Sequence, residues 1–355
     1  MTPAEEGVLP AVAGYVTISA MVRIAISFLA LVLAALPLPA VKSLQIYFID
    51  VEGGQATLIV SPSGESMLVD AGWPGNNGRD SDRIVAAARL AGVRQIDYLL
   101  VTHYHLDHVG GVPELAAKIP VIHYVDHGPN TETNPGAQIL SAAYGQALSK
   151  GQRIVVKPGD KIPLKGVEID VVAAGGETLR SAGTPNPACA TVASKQADTT
   201  ENARSVGFIL RFGKFGFADL ADLTWNKELA LVCPSNPMGT ADVYLITHHG
   251  MDISNSPPVV RALHPRVAIA NNGVKKGGSP AAWQAVRGSP GIEDVWQLHY
   301  SETGGKENNS PERFIANLEA ACQGHWLKLA AEPNGAFTVT NGRNNFSKTY
   351  QPKAD

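Results

Sequence analysis

The chain of 355 residues is long enough for one large domain or two small ones. Its 45% hydrophobic and 17% charged residues place it with ordinary globular proteins. A net charge of −3 excludes a basic field over the whole surface that would recruit nucleic acid, while leaving room for a local basic groove.

Arg23 precedes an apolar run over 24–36 broken only by Ser27, and Leu38-Pro39-Ala40 then supplies a small residue for cleavage. This is a signal peptide's layout, with Met21 as an alternative start. The run falls short of the roughly 20 residues that a membrane-spanning helix needs. Residues 1–40 are therefore expected to be removed on export to the periplasm or beyond, with no stable membrane insertion of the mature chain; an uncleaved anchor is the alternative. Cys189, Cys233 and Cys322 are an odd number, so in an oxidising compartment at least one stays free or pairs between chains.

Strands are predicted over 44–51, 56–60 and 67–70, the last two joined by the turn Pro62-Ser63-Gly64. Ile84, Ala87, Ala88 and Ala91 give 81–91 helical spacing, stopped by Gly92. Leu99, Leu100 and Val101 then lead into Thr102-His103-Tyr104-His105-Leu106-Asp107-His108, and residues 109–114 read as a glycine-hinged helix entry. A strand over 121–125 ends in Asp126-His127-Gly128, and a helix follows over 139–148. Strands over 153–156, 167–173, 206–212 and 215–220 read as a second β half that mirrors the first. Residues 181–200 have no clear period, which suits a long surface loop covering an active site. Strand 243–247, helix 259–263, strand 268–271 and strand 295–299 complete the pattern, with 295–299 as the last strand of its set. Pro333-Asn334-Gly335, flanked by 325–331 and 336–340, signals a hairpin. The division expected is a catalytic domain over 41–300 and a β-ribbon appendage over 301–355.

The chemistry concentrates at 103–108. His103 and His105 are two apart, so in extended backbone they point the same way and can hold one ion, while Asp107 and His108 can reach a second as the chain turns. Imidazole and carboxylate suit zinc and its first-row neighbours, and no nearby cysteine suggests a closed structural site.

This HxHxDH stretch resembles the shared signature of the metallo-β-lactamase superfamily. Val69-Asp70-Ala71-Gly72 resembles its first motif, Ala221-Asp222-Leu223-Thr224 its bridging aspartate, and Thr247-His248-His249-Gly250 its final histidine. Together with Asp50-Val51-Glu52-Gly53-Gly54-Gln55-Ala56, the set is most similar to the branch of extracellular ComEC-type competence domains and related secreted hydrolases. The resemblance runs from about Leu44 to about His299. Strand–helix alternation alone would also allow a doubly wound sheet; the resemblance implies an αββα sandwich of two mixed sheets.

It also implies two zinc ions, or manganese in their place, on His103, His105, Asp107, His108, Asp222 and His249. Asp219 rivals Asp222 for the bridging role, because the usual glycine before that aspartate is Ala221 here. His248 and His249 adjoin and are expected to point differently; His249 is favoured as ligand and His248 as a substrate contact. Asp70 would orient ligands by hydrogen bonding. Many members place a further histidine before the bridging aspartate, where this chain reads Glu201-Asn202-Ala203-Arg204-Ser205. His127 is a candidate substitute, and His299 is balanced between pocket and packing.

The reaction implied is hydrolysis by a zinc-bound hydroxide, with Asp107 orienting the nucleophile and carrying its proton. No Gly-x-Ser-x-Gly elbow is present. The leading substrate class is a phosphodiester or nucleic acid, with Asn271, Asn272, Lys275 and Lys276 as phosphate contacts or, blandly, a solvated loop. A β-lactam or lactone is the alternative, and a metal-retaining binding module without catalysis is a reading of another class. Oligomeric state is not fixed by the sequence.

Overall fold

A computed structural model describes Met1 and residues 43–353, so the expected signal segment, with Arg23, the apolar run and Met21, lies outside the described residues. The first half supplies strands β1 (Leu44–Phe48), β2 (Thr57–Val60), β3 (Ser66–Val69), β4 (Ile96–Leu100), β5 (Val121–Asp126) and β6 (Gln152–Val155). Helices α1 (Arg79–Leu90), α2 (Leu106–Val109), α3 (Val112–Ala116) and α4 (Pro135–Leu148) lie in its connections. Short loops join β1 to β3, which pair antiparallel, whereas helical crossovers join β3 to β6, which pair parallel.

The second half supplies β7 (Glu168–Ala174), β8 (Glu177–Thr178), β9 (Thr184–Pro185), β10 (Gly207–Phe212), β11 (Phe215–Asp219), β12 (Ser235–Asn236), β13 (Val243–Leu245), β14 (Val267–Ala270), β15 (Asp294–His299) and β16 (Ile315–Asn317). Its helices are α5 (Trp225–Val232), α6 (Pro257–Leu263), α7 (Pro280–Arg287) and α8 (Gly305–Asn308). Apart from the β9–β12 pair, these strands form one mixed sheet in the order β16-β15-β14-β13-β11-β10-β7-β8.

Strand alternation makes the layers. On β1, Leu44, Ile46 and Phe48 face inward and meet Phe208, Leu210, Phe215 and Phe217 of the other sheet. Tyr47 and Leu58 face outward, where Ile84 and Ala88 of α1 and Val112 and Leu115 of α3 cover them. On the second sheet Ile209, Ala218 and Tyr244 face outward and are covered by Leu231, Val260 and Trp283. Helix, sheet, sheet, helix is the resulting order, the αββα sandwich of two mixed sheets.

The structure corrects three expectations. Strand 153–156 belongs to the first sheet, because α4 is a crossover that returns the chain parallel to β5. Residues 295–299 are not the last strand of their set, since β16 pairs parallel with β15 beyond them. The 301–355 segment is no appendage: β17 (Leu327–Ala331), β18 (Phe337–Asn341) and β19 (Ser347–Tyr350) extend the first sheet to nine strands, with Leu44 opposite Ala331. The alternating Leu327, Leu329, Ala331, Phe337 and Val339 are fully or almost fully buried in the central core, so this ribbon closes the sandwich. Loop 181–200 is mostly exposed, in keeping with the expected surface loop. It pairs through β9 with β12, is bonded by Cys189–Cys233, and packs on α5, where the Trp225 indole donates to Ala193 O. Cys322 is the free cysteine.

Candidate metal centre

The ligand-bearing loops leave the carboxyl ends of neighbouring strands: Asp70 after β3, residues 102–108 after β4, Asp222 after β11, and His248 and His249 after β13. Backbone conformation aims them. Asp70 (φ 58°), Ala221 (φ 49°), His248 (φ 56°) and His249 (φ 55°) all adopt the left-handed region that non-glycine residues avoid. Two successive left-handed residues bring both imidazoles to one side: Nε2 of His248 lies 3.3 Å and Nε2 of His249 3.4 Å from Asp222 Oδ2. The expectation that these neighbours diverge does not hold, because extended backbone would be needed to separate them.

Asp107, His108, Asp222 and His249 each offer one ligand atom to a buried group lying within 4.8 Å of one another. His108 Nε2 is 3.2 Å from both Asp107 Oδ2 and Asp222 Oδ2, and His249 Nε2 is 3.3 Å from Asp107 Oδ2. Neither Nε2 finds an aligned hydrogen-bond partner. Burial opposes a charge on His108, yet the buried carboxylates push it well above its usual pKa, so the cluster favours a positive charge at this point, and its nitrogen and oxygen donors suit a zinc-class ion. His103 Nε2 lies 3.2 Å from His105 Nδ1 and 4.0 Å from Asp222 Oδ2, which brings the first histidine pair up to Asp222 as well.

Charge is organised accordingly. Burial opposes ionisation of Asp107, yet His108, His249 and Lys276 outweigh it and hold the carboxyl well below the usual range. Asp222 is likewise buried and is held low by His248, His108 and His249. Burial and the neighbouring His108 push His103 well down, and burial lowers His248 to about 4, so both are neutral and able to ligate. Lys276 is ion-paired with Asp107 and lies over the Trp73 ring at 5.1 Å.

The remaining residues hold these ligands. Asp70 Oδ2 is 2.7 Å from His108 Nδ1, and the same carboxylate accepts from the Thr102 amide and hydroxyl. His105 Nε2 lies 3.1 Å from Glu132 Oε1, and His249 Nδ1 lies 3.3 Å from Asn271 O. Ser254 Oγ is 3.2 Å from His248 Nδ1. Asp219 accepts from the Gln55 amide at 3.0 Å and the Ala221 amide at 2.9 Å; burial raises its pKa to about 7. It thus anchors the Asp222 turn from behind.

Four candidates point elsewhere. His127 bonds Glu201 at 2.9 Å, and the place of the absent histidine is taken by buried Ser205, 3.4 Å from His103 Nδ1. His299 turns from the cluster to Asp50, 2.8 Å away. Asn271 and Asn272 are neither a solvated loop nor free phosphate contacts, being buried and bonded to Gln55 and to His299 O respectively. Glu132 and Ser254 lie in loops with no local signature, and only the fold brings them to the histidines.

The metallo-beta-lactamase superfamily model matches residues 49–198. Among solved structures, the chain is similar to a mutant of the CmlA beta-hydroxylase, with 16% identity, a TM-score of 0.45, and coverage of 81% of this chain and 59% of that one. It is also similar to the metallo-beta-lactamase fold protein YhfI from Bacillus subtilis, with 12% identity, a TM-score of 0.44 and coverage of 72% and 96%. A third is Tm1679, a metal-dependent hydrolase of the beta-lactamase superfamily, with 13% identity, a TM-score of 0.43 and coverage of 72% and 95%. The matched segment carries Asp70, His103, His105, Asp107 and His108, and stops before Asp222, His248 and His249.

Proposed function

We propose that this chain is an exported hydrolase of phosphodiesters, related to the ComEC-type branch, with two zinc-class ions. Asp107, His108, Asp222 and His249 would hold one ion, and His103 and His105 with Asp222 the other. Bound there, such ions supply a water activated at neutral pH and stabilise charge on the substrate. The observation that carries the reading is the convergence of the buried, unpartnered Nε2 atoms of His108 and His249 on two carboxylates held ionised.

The protein's own groups do the rest. Asp107 stays an acceptor and can take a proton, and Asp70 and Glu132 fix the rings of His108 and His105. Lys276 sets a cation beside Asp107, on a side chain 29% exposed, which favours an anionic substrate such as a phosphodiester over a neutral lactone. The Cys189–Cys233 disulfide supports export, since such bonds persist in oxidising compartments. Among the described residues no helix is long and apolar enough to cross a membrane.

The test is metal depletion followed by zinc or manganese reconstitution, with bis-p-nitrophenyl phosphate, DNA, nitrocefin and a lactone as substrates. The expected result is metal-dependent phosphodiester cleavage that Asp107→Ala abolishes. Turnover of nitrocefin or the lactone alone overturns the substrate class. No turnover of any substrate by metal-replete protein overturns the hydrolase reading in favour of a binding module.

A further inference from the structure

A second group of metal-ligating side chains lies apart from the catalytic cluster. Asp50, Glu52, His299 and Cys322 each bring one donor atom within 4.8 Å of the others. They come from three distant segments: the β1–β2 loop, the end of β15, and the loop before β17. Asp50 and His299 are fully buried, while Glu52 and Cys322 are partly exposed, so the group has an inner wall and an entry side.

Their separations are those of a coordination shell. Cys322 Sγ lies 3.2 Å from Asp50 Oδ2, 3.3 Å from Glu52 Oε1 and 3.8 Å from His299 Nε2. His299 Nε2 lies 2.8 Å from Asp50 Oδ1 and 3.5 Å from Glu52 Oε2. Tetrahedral zinc, with bonds of about 2.0 Å to nitrogen or oxygen and about 2.3 Å to sulfur, sets its ligand atoms about 3.3–3.5 Å apart.

Arg83 packs on the group, with Nη1 2.7 Å from Asp50 Oδ2 and 3.2 Å from Glu52 Oε1, and Nη2 3.5 Å from Cys322 Sγ. Arg79, which pairs mainly with Asp80, also reaches Glu52 Oε1 at 3.9 Å, so the two carboxylates are already matched by cations and a bound divalent ion would be balanced in part by the Cys322 thiolate. Coordination to a divalent cation would ionise the Cys322 thiol and turn its contacts with the carboxylates into a shared ligand set.

We propose that Asp50, Glu52, His299 and Cys322 form a third, structural site for a zinc-class divalent cation, with Arg83 as its counter-charge. Binding forms one bond to each donor, releases the Cys322 proton to solvent and moves the His299 proton from Nε2, where it faces Asp50, to Nδ1. The ion would pin the base of the loop that continues through Gly53 and Gly54 to Gln55, whose amide donates to Asp107 O at 3.1 Å. Gly53 and Gly273 pack so closely there that a Cβ on Gly53 would lie 2.9 Å from the Gly273 nitrogen. Clamping 50–52 thus supports the floor of the catalytic loop.

The proposal is independent of the hydrolase reading and has an optical test. The catalytic cluster contains no cysteine, and Cys189 and Cys233 are bonded to each other, so Cys322 alone can give a thiolate-to-cobalt charge-transfer band. The full chain, stripped of metal and titrated with Co2+, is expected to develop that near-ultraviolet band. Cys322→Ser should lose the band and one bound ion per chain. Asp222→Ala, which disturbs only the catalytic cluster, should keep it and serves as the folded control. Absence of the band from both wild type and Asp222→Ala, or equal metal content with and without Cys322, overturns the site.

Discussion

Asp70→Asn separates ligand orientation from folding. The substitution keeps size and shape, and asparagine tolerates the left-handed conformation at φ 58° about as well as aspartate does, so the backbone is not disturbed. Asp70 receives the Thr102 amide at 2.8 Å and the Thr102 hydroxyl at 2.7 Å, and stands 2.7 Å from His108 Nδ1. A carboxylate acceptor holds a proton on His108 Nδ1, which leaves Nε2 as the atom that would bind an ion in the cluster. An amide can accept from the Thr102 N–H, but its NH2 then faces His108. Either two donors confront each other or the proton moves to Nε2, which removes the ligand atom. Loss of such a supporting partner weakens metal binding about 10–100-fold, or about 1.4–2.8 kcal/mol. The assay is competition for zinc against a chromophoric chelator, with circular dichroism of the metal-free variant as the folding control. A folded Asp70→Asn chain that binds zinc within twofold of wild type refutes the argument.

Asp222→Ala is expected to lose at least one ion and nearly all activity, whereas Asp219→Ala, removing only the carboxylate that receives Gln55 and the Ala221 amide, should keep both catalytic ions with a loss of about 10–100-fold; metal content and rate on the two variants decide. Ala221→Gly should stabilise the fold by about 1 kcal/mol in chemical denaturation, because φ 49° strains any residue with a Cβ. Replacing both Cys189 and Cys233 by serine should cost up to about 4 kcal/mol, the loop-closure value for a separation of 44 residues, and an unchanged melting temperature would contradict it. Burial raises Glu228 from 4.5 to about 7, so the stability gained by its protonation is full below about pH 4.5 and lost as pH rises through 7. That amounts to up to about 3 kcal/mol, and Glu228→Gln should flatten the corresponding stretch of a stability–pH curve.

What the sequence disclosed was local. The spacing of His103 and His105 places two imidazoles on one side of an extended chain, and the structure sets them 3.2 Å apart. The apolar alternation of 44–48 and the Asn334-Gly335 turn were legible for the same reason, since each depends on near neighbours. Partners fixed by topology were not. Nothing in 153–156 distinguishes one sheet from the other; its place follows from the crossover through α4. The aim of His248 and His249 depends on two consecutive left-handed residues, a conformation that residue type argues against. Asp219 and Asp222 are chemically alike, and only Gln55, 164 positions before Asp219, ties Asp219 down away from the cluster.

Because β17 lies against β1, the chain's synthesis and its sheet run out of step. Leu44 pairs with Ala331, so the outer hydrogen-bonding edge of β1 waits for 331 − 44 = 287 further residues. At about 5–20 residues per second that is roughly 15–60 s during which an apolar strand keeps an open edge. An open edge is a template for any other strand nearby, so this interval is when nascent chains are most prone to pair with one another. A chaperone that holds extended segments would act on 44–48 first, and β17 would displace it.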